Sequence, residues 1–174
     1  MALVSVSAGC APITVGTDFH PEASFSGYRT FAWMTENQPR TGDPRLDDSE
    51  FFDSQVRSAV ERHFGAKGFE KTPVRLADFL IDYHAAVDYR VEVVDGYGYD
   101  AHGYIAEVGK LVEYEQGTLL IDVIDPETRK LVWRGWAESN IEGVIGDRQR
   151  MEERIDKVAD RIIARFPPSE TQGR

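Results

Sequence analysis

One cysteine, Cys10, serves a chain of 174 residues. A single thiol excludes an internal disulfide framework and every paired CxxC metal or redox site. Long apolar runs are missing too: no stretch approaches the roughly 18 to 20 residues that a membrane-crossing helix requires. Positive charge is in deficit, with 20 Lys and Arg against 30 Asp and Glu, a formal net charge of -10. That balance repels phosphate backbones and anionic headgroups at long range and excludes nucleic acid as an expected partner. The signatures HExxH, GxSxG, GxGxxG and Walker are all absent. The histidines, His20, His63, His84 and His102, fall on different segments without ligand spacing. No catalytic residue, metal or cofactor is therefore assigned. What remains is a composition of 41% hydrophobic and 29% charged residues, which suits one globular domain able to bury a core without staples.

The position of the lone cysteine is informative. Leu3, Val4 and Val6 lead into Ser7-Ala8-Gly9-Cys10, an apolar segment closing on small residues as a secretory signal does. This segment resembles a bacterial lipobox, although Ser7 stands where that signal has Leu and no Lys or Arg precedes the run. The resemblance implies that the Cys10 thiol carries a diacylglycerol and that the chain is cut before it and acylated again. Several acyl chains, at about 0.8 kcal/mol per buried CH₂, hold a protein on a membrane permanently. Ala11 after the cysteine is compatible with sorting to the outer membrane. The other reading of the same residues is an amino-terminal strand or tail with a buried free thiol, but a spare thiol is a liability in an oxidising compartment.

Residues 1–10 thus read as a signal remnant, 11–168 as one domain and 169–174 as a disordered tail. Within the domain, β-rich runs occupy 13–19 and 28–34, and the polar segment 35–48, with its prolines and glycine, reads as an exposed loop. A helix follows over 49–64, with Asp48 or Ser49 as N-cap and Gly65 or Gly68 closing it. Its apolar stripe is Phe52, Val56, Ala59, Val60 and Phe64, with His63 at the edge as a packed or solvent-tipped histidine. The run 77–93 is a strand that bends or bulges past Ala86, with Phe79, Ile81, Tyr83 and Ala85 on one side and Leu80, Asp82 and His84 on the other. Glycine and tyrosine crowd 95–104, which favours a mobile aromatic loop.

Residues 117–139 read as a hairpin around Asp125-Pro126-Glu127-Thr128-Arg129. Apolar residues at helical period from Met151 to Phe166 predict a second helix over 147–166, stopped by Pro167 and Pro168. This order predicts an α+β domain in which two helices pack on one face of a largely antiparallel sheet. The predicted core is Trp33, Phe52, Val56, Phe64, Phe79, Ile81, Ile121, Val123, Trp133, Ile155, Val158 and Ile162. A three-residue hairpin loop sets Asp125 opposite Arg129, Val123 opposite Leu131 and Ile121 opposite Trp133, leaving Asp122, Arg134 and Trp136 on the other face. A four-residue loop sets Asp122 against Trp133 and dissolves that grouping. With the first register, and with the strands as neighbours, Asp82, His84, Arg134 and Trp136 form a candidate binding patch, since a large aromatic beside an arginine is the composition of an interface anchor.

The blocks TDFHPEASFSGYRTFAW, DFLIDYHAAV and QGTLLIDVIDPETRKLVWRGWAE, in that order, resemble the uncharacterised bacterial lipoproteins grouped as domain of unknown function 4136. The resemblance spans nearly all of the chain after Cys10. It implies a lipid-anchored protein of the cell envelope, on the outer membrane and facing the periplasm, without known activity. The expectation is a non-catalytic binding or structural component whose partners are the membrane, through Cys10, and an envelope protein. The alternative is an enzyme or metal-dependent ligand binder built on the polar face of the central strands.

Overall fold

The computed structural model describes residues 12–34, 41–47, 49–99 and 105–168; for 94–99 and 105–110 it describes the backbone alone. Cys10, the candidate cap Asp48 and the 169–174 tail therefore lie outside the described residues. The elements are β1 (Ile13–Phe19), β2 (Thr30–Trp33), α1 (Glu50–Ala66), β3 (Glu70–Lys71), β4 (Phe79–Tyr99), β5 (Ile105–Ile124), β6 (Leu131–Asn140) and α2 (Arg148–Ile163). They form the expected α+β fold: a six-stranded sheet in the order β1-β6-β5-β4-β2-β3 with two helices. Only the β2–β3 and β2–β4 pairings are parallel.

Each helix starts where a side chain can satisfy its free amide groups. The Ser49 hydroxyl accepts from Phe52 N at 3.3 Å, and the Asp147 carboxylate accepts from Arg150 N at 3.1 Å. Glu50 and Asp53 lie in the first turn of α1, favourable to its dipole, and Gly68 beyond its end takes φ +88°. The apolar stripes Phe52-Val56-Ala59-Val60-Phe64 and Met151-Ile155-Val158-Ala159-Ile162 face the sheet. Gly135 lets α2 approach, because a Cβ there would lie 2.6 Å from Ile162 Cγ2. All twelve predicted core residues are buried. A cluster of rings the sequence did not single out joins them: Phe166 lies 5.7 Å from Phe64 and 5.5 Å from Phe79, centroid to centroid.

Two expectations need correction. The 95–104 segment is not simply a loop: β4 runs on to Tyr99 and β5 begins at Ile105, with residues 100–104 outside the described residues. Strands β4 and β5 pair without a shift from Leu80↔Ile124 to Tyr99↔Ile105, so no bulge interrupts β4 past Ala86. Since β6 meets β5 only from Gln116 to Ile124, the outer half of this hairpin is a two-stranded ribbon extending past the sheet. Tyr89, Val91, Val93 and Leu111 are exposed on it.

The β5–β6 hairpin adopts neither predicted register. Asp122 faces Arg134, Val123 faces Trp133 and Ile121 faces Gly135. The turn holds four residues, Pro126 to Arg129, closed by Asp125 N donating to Lys130 O at 2.9 Å. Asp125 Oδ1 accepts from Thr128 N at 2.6 Å and from Glu127 N at 3.1 Å, and Arg129 adopts φ +58°. On its own this loop would set Asp122 against Trp133. Between Val123 and Ile124, however, the register slips, so that Ile124 meets Leu131 and Val132 is supernumerary. The carbonyl of Val132 accepts from His20 N at 2.9 Å beyond the end of β1. Loop and bulge each shift the pairing by one residue, and together they restore the face that the three-residue loop implied.

Candidate functional site

Neither helix covers the face of the sheet opposite the core. Alternation places Asp82 and His84 on β4, Leu120 and Asp122 on β5, Arg134 and Trp136 on β6, and Gly16 and Asp18 on β1 toward this side. Strand β4 neighbours the hairpin through β5, which lies between β4 and β6. All four patch residues share the face, but Asp82 and Arg134 are joined through Asp122 rather than directly. The pairings Asp82↔Asp122, Asp122↔Arg134 and Asp18↔Arg134 make one row across four strands. The next row is His84, Leu120, Trp136 and Gly16.

The electrostatics of the first row centre on Asp122, whose side chain is 6% exposed. Arg134 donates to it twice, Nε to Oδ1 and Nη2 to Oδ2, both at 2.6 Å, in the bidentate geometry of the strongest ion pairs. That carboxylate, with Asp18 beside it, raises the Arg134 pKa above its ordinary value. His84 Nε2 lies 3.8 Å from Asp122 Oδ2 and its side chain is half exposed. Asp82, also buried, accepts from Tyr83 N at 3.0 Å. The row thus holds three carboxylates, Asp18, Asp82 and Asp122, against one guanidinium, and is acidic. Among the described residues no three His, Cys, Asp or Glu side chains are grouped so as to hold a metal ion.

Trp136 stands on Gly16: a Cβ at that position would lie 2.2 Å from Trp136 Cζ2. The glycine in an otherwise β-rich run is the floor for an indole, a signal readable from the sequence only once the β1–β6 register is known. Toward the ribbon the face continues into a hollow of about 360 Å³ bordered by Thr14, Glu92, Tyr114 and Glu138. His63, left without chemistry by the sequence, bridges the helices on the other side of the molecule: its Nε2 is 2.8 Å from Asp156 Oδ1, which also accepts from Arg62 at 2.7 Å.

Fold and face together define a two-layer α+β domain in which the face that neither helix covers carries a polar row beside the small buried cluster of Ala32, Ala77, Leu80 and Ile124. The chain belongs to the family described as a domain of unknown function (DUF4136), whose model matches residues 15–168. Among solved structures it is similar to a PDZ domain protein from Parabacteroides distasonis, with 16% identity and a TM-score of 0.58, over 92% of this chain and 37% of that one. It thus spans little more than a third of that protein's length. It is also similar to PelC, a dodecamer from Paraburkholderia phytofirmans, at 14% identity and TM-score 0.48, over 88% of this chain and 95% of that one. A DUF4136 family protein from Bacteroides thetaiotaomicron is similar at 12% identity and TM-score 0.43, over 83% and 92% of the two chains. These identities speak to fold alone. No curated protein matches the chain.

Proposed function

We propose that the protein is a non-catalytic binding component of the bacterial cell envelope. Acyl chains on Cys10 hold it to the outer membrane facing the periplasm, and an envelope protein docks on its open sheet face at Asp82, His84, Arg134 and Trp136. The observation that carries this reading is the face that neither helix covers, where a half-buried indole sits beside an arginine held in a bidentate pair by a buried carboxylate. Such a pairing suits an interface anchor, because both side chains offer large contact area and little freedom to lose on binding. The acidic row and the chain's net charge of -10 favour a partner that presents cationic groups. For the anchor, the support is the Ser7-Ala8-Gly9-Cys10 pattern.

The test has two arms, both in cells with an intact upstream signal. Mass spectrometry of the mature protein is expected to find acyl chains on Cys10, and Cys10→Ala to release the protein from membranes. An unmodified Cys10 with residues 1–9 still attached would overturn the anchor. In affinity recovery from the envelope, Trp136→Ala and Arg134→Ala, each first shown to be folded, are expected to lose a partner that the wild type retains. Equal recovery by all three proteins would leave the face as plain solvated sheet.

A further inference from the structure

Along the ribbon, the outer edge of β4 has no neighbouring strand among the described residues. Strand β2 covers that edge only as far as Ile81, whose carbonyl accepts from Met34 N at 2.8 Å. The backbone groups of Ile81 therefore point away from β5. The β4–β5 ladder then runs to Tyr99 without a shift, so every second residue from Tyr83 through Val91 to Tyr99 turns its N–H and C=O groups to the free side. At the near end the Asp82 carboxylate takes Tyr83 N at 3.0 Å. An open edge of this kind is a template for another strand, and proteins commonly blunt it with a proline or a bulge. Residues 83–99 contain no proline, and no bulge interrupts their pairing with β5. A two-stranded ribbon alone is also only marginally stable in water.

The residues in the middle of this edge are complementary to a second copy of themselves. In an antiparallel pairing about a two-fold axis at Val91, Val91 faces Val91 of the second copy, Tyr89 faces its Val93 and Arg90 faces its Glu92. These are β-branched, aromatic and opposite-charge pairs of the kind that stabilise antiparallel sheets. All five residues are exposed, Tyr89 at 75%, Val91 at 62% and Val93 at 65%. Neither Arg90 nor Glu92 has an ion-pair partner among the described residues. Neighbouring registers fit less well. Centring on Arg90 sets that arginine against itself, and any centre nearer the sheet drives the end of the second strand into β2, which occupies Phe79 to Ile81. Centring on Glu92 sets that glutamate against itself. Val91 is also the midpoint of 83–99, so a second β4 ends where β2 begins to cover the edge.

We propose that the β4 edges of two copies pair antiparallel about Val91, making one continuous sheet across a homodimer. The pairing lies in the plane of the sheet and covers neither of its faces, so its failure would leave the proposed function untouched. The experiment is analytical ultracentrifugation of the purified full chain over a range of concentrations, in which the wild type is expected to dimerise. Val91→Pro removes the N–H at the two-fold axis, a donor that the chain's own ladder does not use, and proline is tolerated on such an edge. This variant is expected to stay monomeric with the circular dichroism of a folded protein. Arg90→Glu and Glu92→Arg each set like charges opposite one another and are expected to weaken the dimer about tenfold, while the double swap, which restores opposite charges, is expected to recover it. If Val91→Pro does not fold, the charge swaps on the exposed ribbon decide alone. A monomer at every concentration up to millimolar, a dimer retained by folded Val91→Pro, or a double swap no tighter than the single ones would each overturn the proposal.

Discussion

Asp78 shows how much one carboxylate organises. It accepts from Arg29 N, Thr30 N and Thr30 Oγ1, each at 2.9 Å, and so ties the entry of β2 to the start of β4. The backbone hydrogen bonds from Arg29 and Thr30 hold its pKa below the ordinary carboxylate value, against the opposing effect of burial. Asp156 is lowered by the hydrogen bond from Arg62, with His63 adding to it. Because the folded-state values lie below the unfolded ones, the stability these groups confer is complete above the ordinary carboxylate range and is lost as pH falls through it. Melting temperature is therefore expected to drop on acidification through that range, and Asp78→Asn to lower the neutral-pH melt while flattening the drop; an equal slope in the variant would show that Asp78 plays no part. Gly16 makes the second prediction at this scale. Gly16→Ala drives a methyl into the Trp136 ring, and overpacking of this kind costs about 1 to 3 kcal/mol. Denaturant unfolding checks the cost, and a displaced Trp136 emission would accompany it.

At the level of elements, the helices and the core side of each strand were legible in the sequence, because Phe52-Val56-Val60 and Phe79-Ile81-Tyr83 repeat at periods that only one element type can bury on a single side. The hairpin register was not. Asp125 and Pro126 announce a turn, but the supernumerary Val132 depends on β1 arriving alongside and on His20 N reaching its carbonyl, a contact between segments more than a hundred residues apart. Asp82, His84, Arg134 and Trp136 share one face because two one-residue irregularities cancel in parity. Asp122 becomes the hub of the ion-paired row only when β5 is known to lie between β4 and β6. The ribbon was hidden by its composition, since Gly96, Gly98 and the neighbouring tyrosines favour turns locally while the antiparallel ladder extends them. Strand position also sets the energetics. Trp133→Ala, in the filled core, is expected to cost about 3 to 5 kcal/mol, whereas Val91→Thr on the ribbon, where Val91 is 62% exposed, is expected to stay within about 0.5 kcal/mol. Matching losses from urea unfolding would mean that the ribbon packs against something in the folded protein.

For the whole molecule, the two faces of the sheet differ in what covers them. Helices α1 and α2, joined by Arg62, His63 and Asp156, seal one side and supply the stability. The other side carries the ion-paired row and Trp136, with neither helix above them, and the proposed function rests on that side meeting another protein. Site-specific photocrosslinking in cells tests it most directly, with a benzophenone side chain at Thr118, next to Leu120 on the open face, and a control at Glu152, exposed on α2. The account predicts a discrete adduct with an envelope protein from position 118 and none from 152. No adduct from position 118, or the same adducts from both positions, would contradict it.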